Sequence, residues 1–326
     1  MIKLPIKIVQ LLWSCENNKV EHLNGYDKEL SKATFDIVST SPFVIQTDSV
    51  SILLTRDEND PNIENYQYAV LTNKKPRKSE FLKGNILSIR WIKHPTFTTL
   101  HPNEIAASWK GIFLYKKEDI PNSIFGLRAP QLGAIYAFMS KAQIHHGRNI
   151  IVMPTGTGKT ETMLSILIAN QCPKVLITVP SDALRDQLAN KFITLGILPK
   201  YEIVASDCIY PNVGIVKEGM DYNGWHSLIE KSNVIITTMP LIANSESTII
   251  DLLRANISHL FIDEAHHSEA KTWSEFIDSF DDEKVTLFTA TPFRNDSRRL
   301  RGDFIYNFSL KDAQSQGYYK QIKFIP

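Results

Sequence analysis

At 326 residues the chain exceeds the length at which one hydrophobic core usually stops growing, so about two domains are expected. Hydrophobic residues make up 43% and charged residues 22%, which excludes a disordered or fibrous chain, and 36 basic against 35 acidic side chains give no global field to recruit nucleic acid or a membrane. Cys15, Cys172 and Cys208 stand far apart without a Cys-x-x-Cys pair, which argues against a disulfide framework or a zinc site and for a reducing, cytoplasmic setting.

The opening "MIKLPIKIVQLLW" is interrupted by Lys3, Pro5 and Lys7 and is followed by no small-residue cleavage site, so it reads as a strand or short helix. No window reaches the roughly 18 uninterrupted apolar residues of a membrane span, and no membrane partner is expected. Short β-like runs follow: "FVIQTDSVSILLT", "YQYAVLT", "NILSIRWI" and "GIFLYKK", broken by polar or proline-bearing segments such as "RDENDPNIEN". They predict a smaller β-rich or α+β accessory domain over residues 1–123, of open role, with a boundary at Pro121, Asn122 and Ser123.

Two activities bear on this part. A metal nuclease would want an acid on one strand and Asp/Glu-x-Lys on the next, but Thr72 and Asn73 occupy the positions two before Lys74 and Lys75. Lys74, Lys75, Arg77, Lys78, Lys83, Arg90 and Lys93 mix with Phe81 and Trp91, as phosphate pairing and base stacking require. Leu87, Ile89 and Trp91 nevertheless alternate with Ser88 and Arg90, the period of a half-buried strand with a solvated face, and that reading is preferred.

Residues 124–326 alternate differently. "APQLGAIYAFMSKAQIHHG" reads as a helix ending at Gly147, with His145 and His146 in its last turn, where a cation suits the helix dipole; adjacent positions share no face, so they make a poor metal pair. Then come "NIIVM", a helix from Lys159 to about Asn170, "KVLITVP", a helix from about Asp182 to Leu195, "NVIITT", "HLFIDE" and "KVTLFTA". Near-continuous apolar strands alternating with helices mean an α/β fold whose parallel sheet is covered on both faces. Trp273 and Phe276, three apart, read as helix packing, and Asp281, Asp282 and Glu283 as a solvated turn.

Within this part, "MPTGTGKT" follows an apolar strand and opens an amphipathic helix. Glycines let successive N–H groups point inward at a helix start, which makes a phosphate cradle. Lys159 would reach terminal phosphates and Thr160 would offer a hydroxyl to magnesium, although Met153 stands where the usual pattern has its first glycine. "HLFIDEAHH" ends a second strand in Asp263 and Glu264, which project to the crevice where parallel sheets bind ligands. Asp263 would hold the metal and Glu264 would polarise the attacking water.

"DEAHH" at Asp263 to His267 resembles the DEAD/DEAH box of superfamily two helicases and translocases, and further segments occur in that family's order. "LRAPQLGAI" is similar to its adenine-reading segment, "TVPSDALRDQLANKF" and "IITTMPLI" to segments that touch nucleic-acid backbone, and "TATPF" to the segment linking hydrolysis to movement. The tail from Phe293 resembles the exit from the first motor domain in helicases related to restriction-enzyme subunits. The resemblance covers residues 124–326 and implies a RecA-like phosphate-loop domain using ATP and Mg2+. It implies Gln131 and Arg128 on the base side, Thr155, Gly156, Thr157, Gly158, Lys159 and Thr160 on the phosphates, and Thr160 and Asp263 on the metal. Lys159, Asp263, Glu264 and His266 would be the catalytic set, Thr289 and Thr291 would couple nucleotide state to movement, and Ser181 and Thr238 would donate to nucleic-acid phosphates, helix capping or strand-end bonding being the alternative for the last two.

Motors of this family place nucleotide between two RecA-like domains, the second supplying an arginine. A chain ending at Pro326 is therefore expected to be a piece of a longer helicase or translocase, nearly inactive alone. The expected partner is nucleic acid, DNA sooner than RNA, in restriction, phage defence or repair, with a separate nuclease or defence subunit as a further partner. The alternative is a nucleotide-gated binding module that recruits such a nuclease.

Overall fold

The computed structural model describes residues 2–3, 9–14, 20–24, 30, 33–72, 74–83, 89–93, 100–142, 147–267, 271–291 and 300–318. Apart from Val20 and Glu21, the described residues up to Leu100 form one compact unit, and those from His101 onward form a second. The second unit thus takes in residues 101–123, assigned to the accessory part on sequence grounds. Cys15 and the pair His145 and His146 lie outside the described residues.

In the first unit the strands are β1 (Ile2–Lys3), β2 (Val9–Ser14), β3 (Val20–Asn24), β4 (Thr34–Thr40), β5 (Phe43–Gln46), β6 (Ser51–Thr55), β7 (Tyr68–Thr72) and, after helix α1 (Lys78–Leu82), β8 (Ile89–Lys93). Strands β4 to β8 pair in chain order into a mixed sheet, antiparallel except for the parallel β6–β7 step, which crosses over through the short helical turn Pro61–Asn65. "FVIQTDSVSILLT" is therefore two strands joined by a turn in which Thr47 Oγ1 accepts the Val50 N–H at 3.0 Å. Phe35, Ile45, Ile52, Leu54, Val70 and Trp91 make the core. At 2% exposure Trp91 is withdrawn from any base-stacking surface, and Lys93 is tied to Glu64 at 3.3 Å. Thr72, standing where a nuclease would want a carboxylate, is buried and donates to the Lys74 carbonyl at 2.6 Å. Asn73 lies outside the described residues.

The second unit runs α2 (Pro102–Ser108), α3 (Ala129–Ala142), β9 (Asn149–Val152), α4 (Lys159–Ala169), β10 (Val175–Val179), α5 (Asp182–Thr194), β11 (Val213–Val216), α6 (Tyr222–Lys231), β12 (Val234–Thr238), α7 (Met239–Ala243), α8 (Ser247–Asn256), β13 (His259–Ile262), α9 (Lys271–Ser279), β14 (Val285–Thr289), β15 (Asp303–Asn307) and α10 (Leu310–Ser315). Its sheet is parallel throughout, seven strands in the order β11-β12-β10-β13-β14-β9-β15. Every residue of β9, β10, β12 and β14 is buried, which is why these strands read as unbroken apolar runs. Helices α3 and α4 pack together, α3 also against β15, and α5 against β10 to β12. No helix among the described residues is long and apolar enough to cross a membrane.

Two expectations need correction. "GIFLYKK" is not a strand: Phe113 and Lys117 make only isolated bridges, to Val204 and Leu127. Asp282 is not simply solvated, because the buried Arg148 guanidinium reaches it at 2.7 Å and Asp278 at 2.9 Å, fastening the start of β9 to α9. Trp273 and Phe276 do lie on a helix, α9, with Phe276 buried.

His259, at the start of β13, is packed against Phe138 and Phe261; its Nδ1 lies 3.0 Å from Ser258 Oγ and its Nε2 3.2 Å from Asn170 Nδ2. Removal from water pushes its pKa down to about 4. The folded state resists a proton that the unfolded chain accepts near pH 6.5, so stability is intact above that pH and falls as pH drops toward 4, by up to about 3 kcal/mol. Urea denaturation between pH 7 and 4 should show this fall, and His259→Phe should flatten it; equal slopes in both proteins would refute the assignment.

Candidate functional site

Strand β9 hands directly into the glycine loop. Met153 continues its pairing for one residue, its N–H reaching the Thr289 carbonyl at 2.9 Å, and its side chain is fully buried with Sδ 3.6 Å from Thr162 Oγ1. A core residue is what that position needs. The chain then turns about Pro154, whose carbonyl accepts both the Thr157 hydroxyl at 2.6 Å and its N–H at 3.2 Å. Gly156 and Gly158 have φ of 83° and 101°, in the left-handed region. At Gly158 a Cβ would also crowd the Gln131 side-chain amide, which would have to shift. Helix α4 starts at Lys159 with no side-chain cap, so the first-turn N–H groups are left for a ligand.

Across from this loop, β13 ends at Ile262. The Asp263 N–H still bonds the Thr178 carbonyl of β10 at 2.9 Å, and Asp263 Oδ1 accepts the Glu264 N–H at 3.0 Å. Glu264 adopts φ of 51°, a left-handed conformation that costs a non-glycine residue on the order of 1–2 kcal/mol. That turn coincides with its carboxylate lying against the loop: Glu264 Oε1 is 2.9 Å from Lys159 Nζ, the two side chains being 18% and 8% exposed. The pair is an ion contact and not a well-aligned hydrogen bond. Lys159 Nζ and Glu264 Oε2 are both buried without a hydrogen-bond partner, so donor and acceptor capacity at the centre of the site is unspent. Removal from water, and then the neighbouring Glu264 charge, push the Asp263 carboxyl up to about 6 against the pull of Lys159 and Lys191.

A cleft of about 600 Å³ opens here. Of the residues singled out from sequence, Arg128, Gln131, Thr155, Gly156, Gly158 and Lys159 line it. Thr160, Asp263 and Glu264 complete the set, while Thr157 is wholly buried beneath the loop. Gln131 spends its amide on the protein, accepting the Arg128 N–H at 2.7 Å and donating to the Gly158 carbonyl at 3.4 Å, while Arg128 Nη1 donates to the Gly156 carbonyl at 2.9 Å. Behind the acids, His266 Nδ1 lies 3.2 Å from Thr289 Oγ1 and 3.4 Å from Glu264 Oε2, and the Thr289 hydroxyl donates to the Thr291 carbonyl at 2.9 Å. The cleft thus combines inward N–H groups, a buried ammonium and two carboxylates, a donor set suited to an anion and a divalent cation together.

Ser181 and Thr238 do not line this cleft. Ser181 lies just past the end of β10 and Thr238 is the last residue of β12; they take the N-cap positions of α5 and α7, and neither side chain caps its helix. The capping alternative therefore does not use these hydroxyls. Ser181 is exposed and Thr238 only 7% so. Sequence reasoning missed Glu118, Phe125, Lys191 and Tyr201, which also line the cleft. No sequence signal marks Lys191, whose partner Glu161, in the first turn of α4 and 2.6 Å away, is 30 residues distant in the chain.

The family described as type III restriction enzyme, res subunit, matches residues 124–294, more than half of the chain. The chain belongs to this family. The matched res-subunit segment contains every site residue singled out from the sequence, from Arg128 to Thr291. Among solved structures the chain is similar to the UvsW helicase from bacteriophage T4, at 15% identity over 58% of this chain and 60% of that one, with a TM-score of 0.38. It is similar to the Pyrococcus furiosus Hef helicase domain, at 24% identity over 58% and 41%, with a TM-score of 0.39. It is similar to the type ISP restriction-modification enzyme LlaGI, solved in complex with a DNA substrate mimic, at 20% identity over 60% and 21%, with a TM-score of 0.41. The chain thus covers less than two thirds of each of these structures. No curated protein matches it.

Proposed function

We propose that this res-subunit chain binds ATP with Mg2+ and serves as a nucleotide-driven helicase or translocase on nucleic acid, DNA in preference to RNA, in restriction, phage defence or repair. The observation that supports this best is the meeting of Lys159 and Glu264 at 2.9 Å, each keeping a buried polar atom without a hydrogen bond. A ligand carrying both anionic oxygens and a cation would satisfy the two at once.

In this reading the N–H groups of Gly156, Gly158, Lys159 and Thr160 and the Lys159 ammonium hold phosphate oxygens, while Thr157 braces the loop through the Pro154 carbonyl. The Thr160 hydroxyl and the Asp263 carboxylate hold the divalent ion, which when bound neutralises phosphate charge. Glu264 orients the attacking water and takes its proton. Gln131 and Arg128 touch both the base side and the loop carbonyls, so they report whether the loop is filled. His266, Thr289 and Thr291 pass that state along the carboxyl edge of the sheet. Ser181 and Thr238 bond nucleic-acid phosphates and position the strand without reading its sequence. A separate nuclease is the natural partner of such a motor, and the cytoplasm its setting.

The test is direct titration of the chain with a fluorescent ATP analogue, with and without EDTA and with DNA or RNA added. Saturable, ATP-competed binding that EDTA weakens and DNA tightens is expected, and absence of ATP-competed binding would end the proposal. Ser181→Ala should lower DNA affinity by about 3- to 10-fold, equally for unrelated sequences, as loss of one solvent-exposed hydrogen bond with a net worth of about 1 kcal/mol predicts. A sequence-dependent loss would contradict the assigned role.

A further inference from the structure

Helix α10 ends in a glycine turn. Gly317 has φ of 76°, its N–H bonds the Gln314 carbonyl at 3.2 Å, and the Tyr318 N–H bonds the Ala313 carbonyl at 2.9 Å. That is the 6→1 and 5→2 pattern of a Schellman stop, which fixes the direction in which residue 318 leaves the helix. Tyr318 is then held on three sides. Phe308 meets its ring edge-on at 6.1 Å, the Arg128 guanidinium lies over the ring at 5.5 Å from its centre, and the hydroxyl donates to Glu118 Oε1 at 3.1 Å.

Both polar partners face the cleft. Arg128 and Glu118 line it, and Arg128 uses its remaining reach to hold the Gly156 carbonyl of the phosphate loop at 2.9 Å. The backbone around them is rigid, since the Glu118 N–H bonds the Leu127 carbonyl at 2.9 Å and the Leu127 N–H bonds the Lys116 carbonyl at 2.8 Å. A guanidinium sandwiched between a ring and a carbonyl loses far less freedom when a ligand fixes it than one moving in solvent.

We infer that Tyr318 is a positioning residue for the nucleotide site, holding Arg128 against the phosphate loop and Glu118 at the wall of the cleft, and that nucleotide occupancy in turn tightens the docking of α10 and Tyr318. This rests on the proposed ATP site and goes beyond it, because Tyr318 does not line the cleft. The two effects are one coupling free energy seen from either end, so the factor by which loss of Tyr318 weakens nucleotide equals the factor by which nucleotide strengthens the docking. Arg128 is shared between the two sites, which is the physical connection such a coupling needs.

The experiment titrates the 326-residue chain and its variants with a fluorescent ADP analogue and follows hydrogen exchange of Leu310–Tyr318 with and without ADP. Tyr318→Ala should bind about tenfold more weakly, within the usual range of such couplings. Tyr318→Phe keeps the ring under Arg128 and should stay within about threefold of the parent. In the parent chain ADP should slow exchange across Leu310–Tyr318 by about tenfold as well. Equal affinity of the parent and Tyr318→Ala, or exchange in the parent unmoved by bound ADP, overturns the inference while leaving the nucleotide site intact. A parent chain that binds no nucleotide overturns the ATP reading instead. If Tyr318→Ala does not fold, the exchange measurement on the parent decides alone.

Discussion

Lys159→Ala is expected to weaken ATP binding to the chain by roughly a hundredfold. Lys159 is the buried cation at the mouth of the helix α4 cradle, and hydrogen bonds between charged groups contribute about 1.5–3 kcal/mol each, so losing the ammonium's hold on phosphate costs about 3 kcal/mol, or two decades. A second effect adds to the first. Without Lys159 the carboxylates of Asp263 and Glu264 face any incoming anion with less positive charge beside them, Lys191 being among what is left, and their repulsion is less offset. Isothermal titration with ATP and Mg2+ measures the loss, and a thermal melt separates it from unfolding. A folded variant whose dissociation constant stays within about threefold of the parent's would remove Lys159 from the site.

Glu264→Gln should do the opposite to binding and far more to turnover. The amide cannot take a proton from water, so whatever hydrolysis the chain supports should fall by about 10²- to 10⁴-fold. Affinity should hold or rise severalfold, because the 2.9 Å pair that now competes with phosphate for Lys159 loses its charge. The variant keeps the size of the side chain and its left-handed backbone, so packing changes little. Single-turnover hydrolysis alongside equilibrium binding reads both quantities. Affinity and turnover falling together would mean that Glu264 holds ligand and does no chemistry on it.

How legible this was depended on how local each signal is. Strands β9, β10, β12 and β14 could be read because burial on both faces leaves them no charged residue and, beside Asn149, threonine as the one polar type, and the loop could be read because Gly156 and Gly158 need left-handed backbone. The imperfect match at Met153 has a local reason too: the backbone there is still strand, so the residue is chosen for the core. What could not be read was assembled over distance. "GIFLYKK" has strand composition but spends its backbone on irregular partners, Leu114 N–H on the Ile203 carbonyl among them. Phe125 and Tyr201 stack at 5.3 Å on the wall of the cleft from segments far apart in the chain, and neither carries a motif. Asp282 looked solvated because its partner, Arg148, is 134 residues away. Ser181 and Thr238 stood where capping residues stand, and only coordinates distinguish a capping hydroxyl from one that is not bonded to its helix.

Strand β14 lies between β9 and β13, and so the loop and the acids hang from strands two positions apart, about 10 Å at ordinary strand spacing. The long side chains of Lys159 and Glu264 close that gap. The sheet therefore acts as a ruler: a single small anion touches one bank or the other, whereas an extended chain of charged groups spans both. Ligand length is selected by strand order, before any side chain has discriminated among head groups.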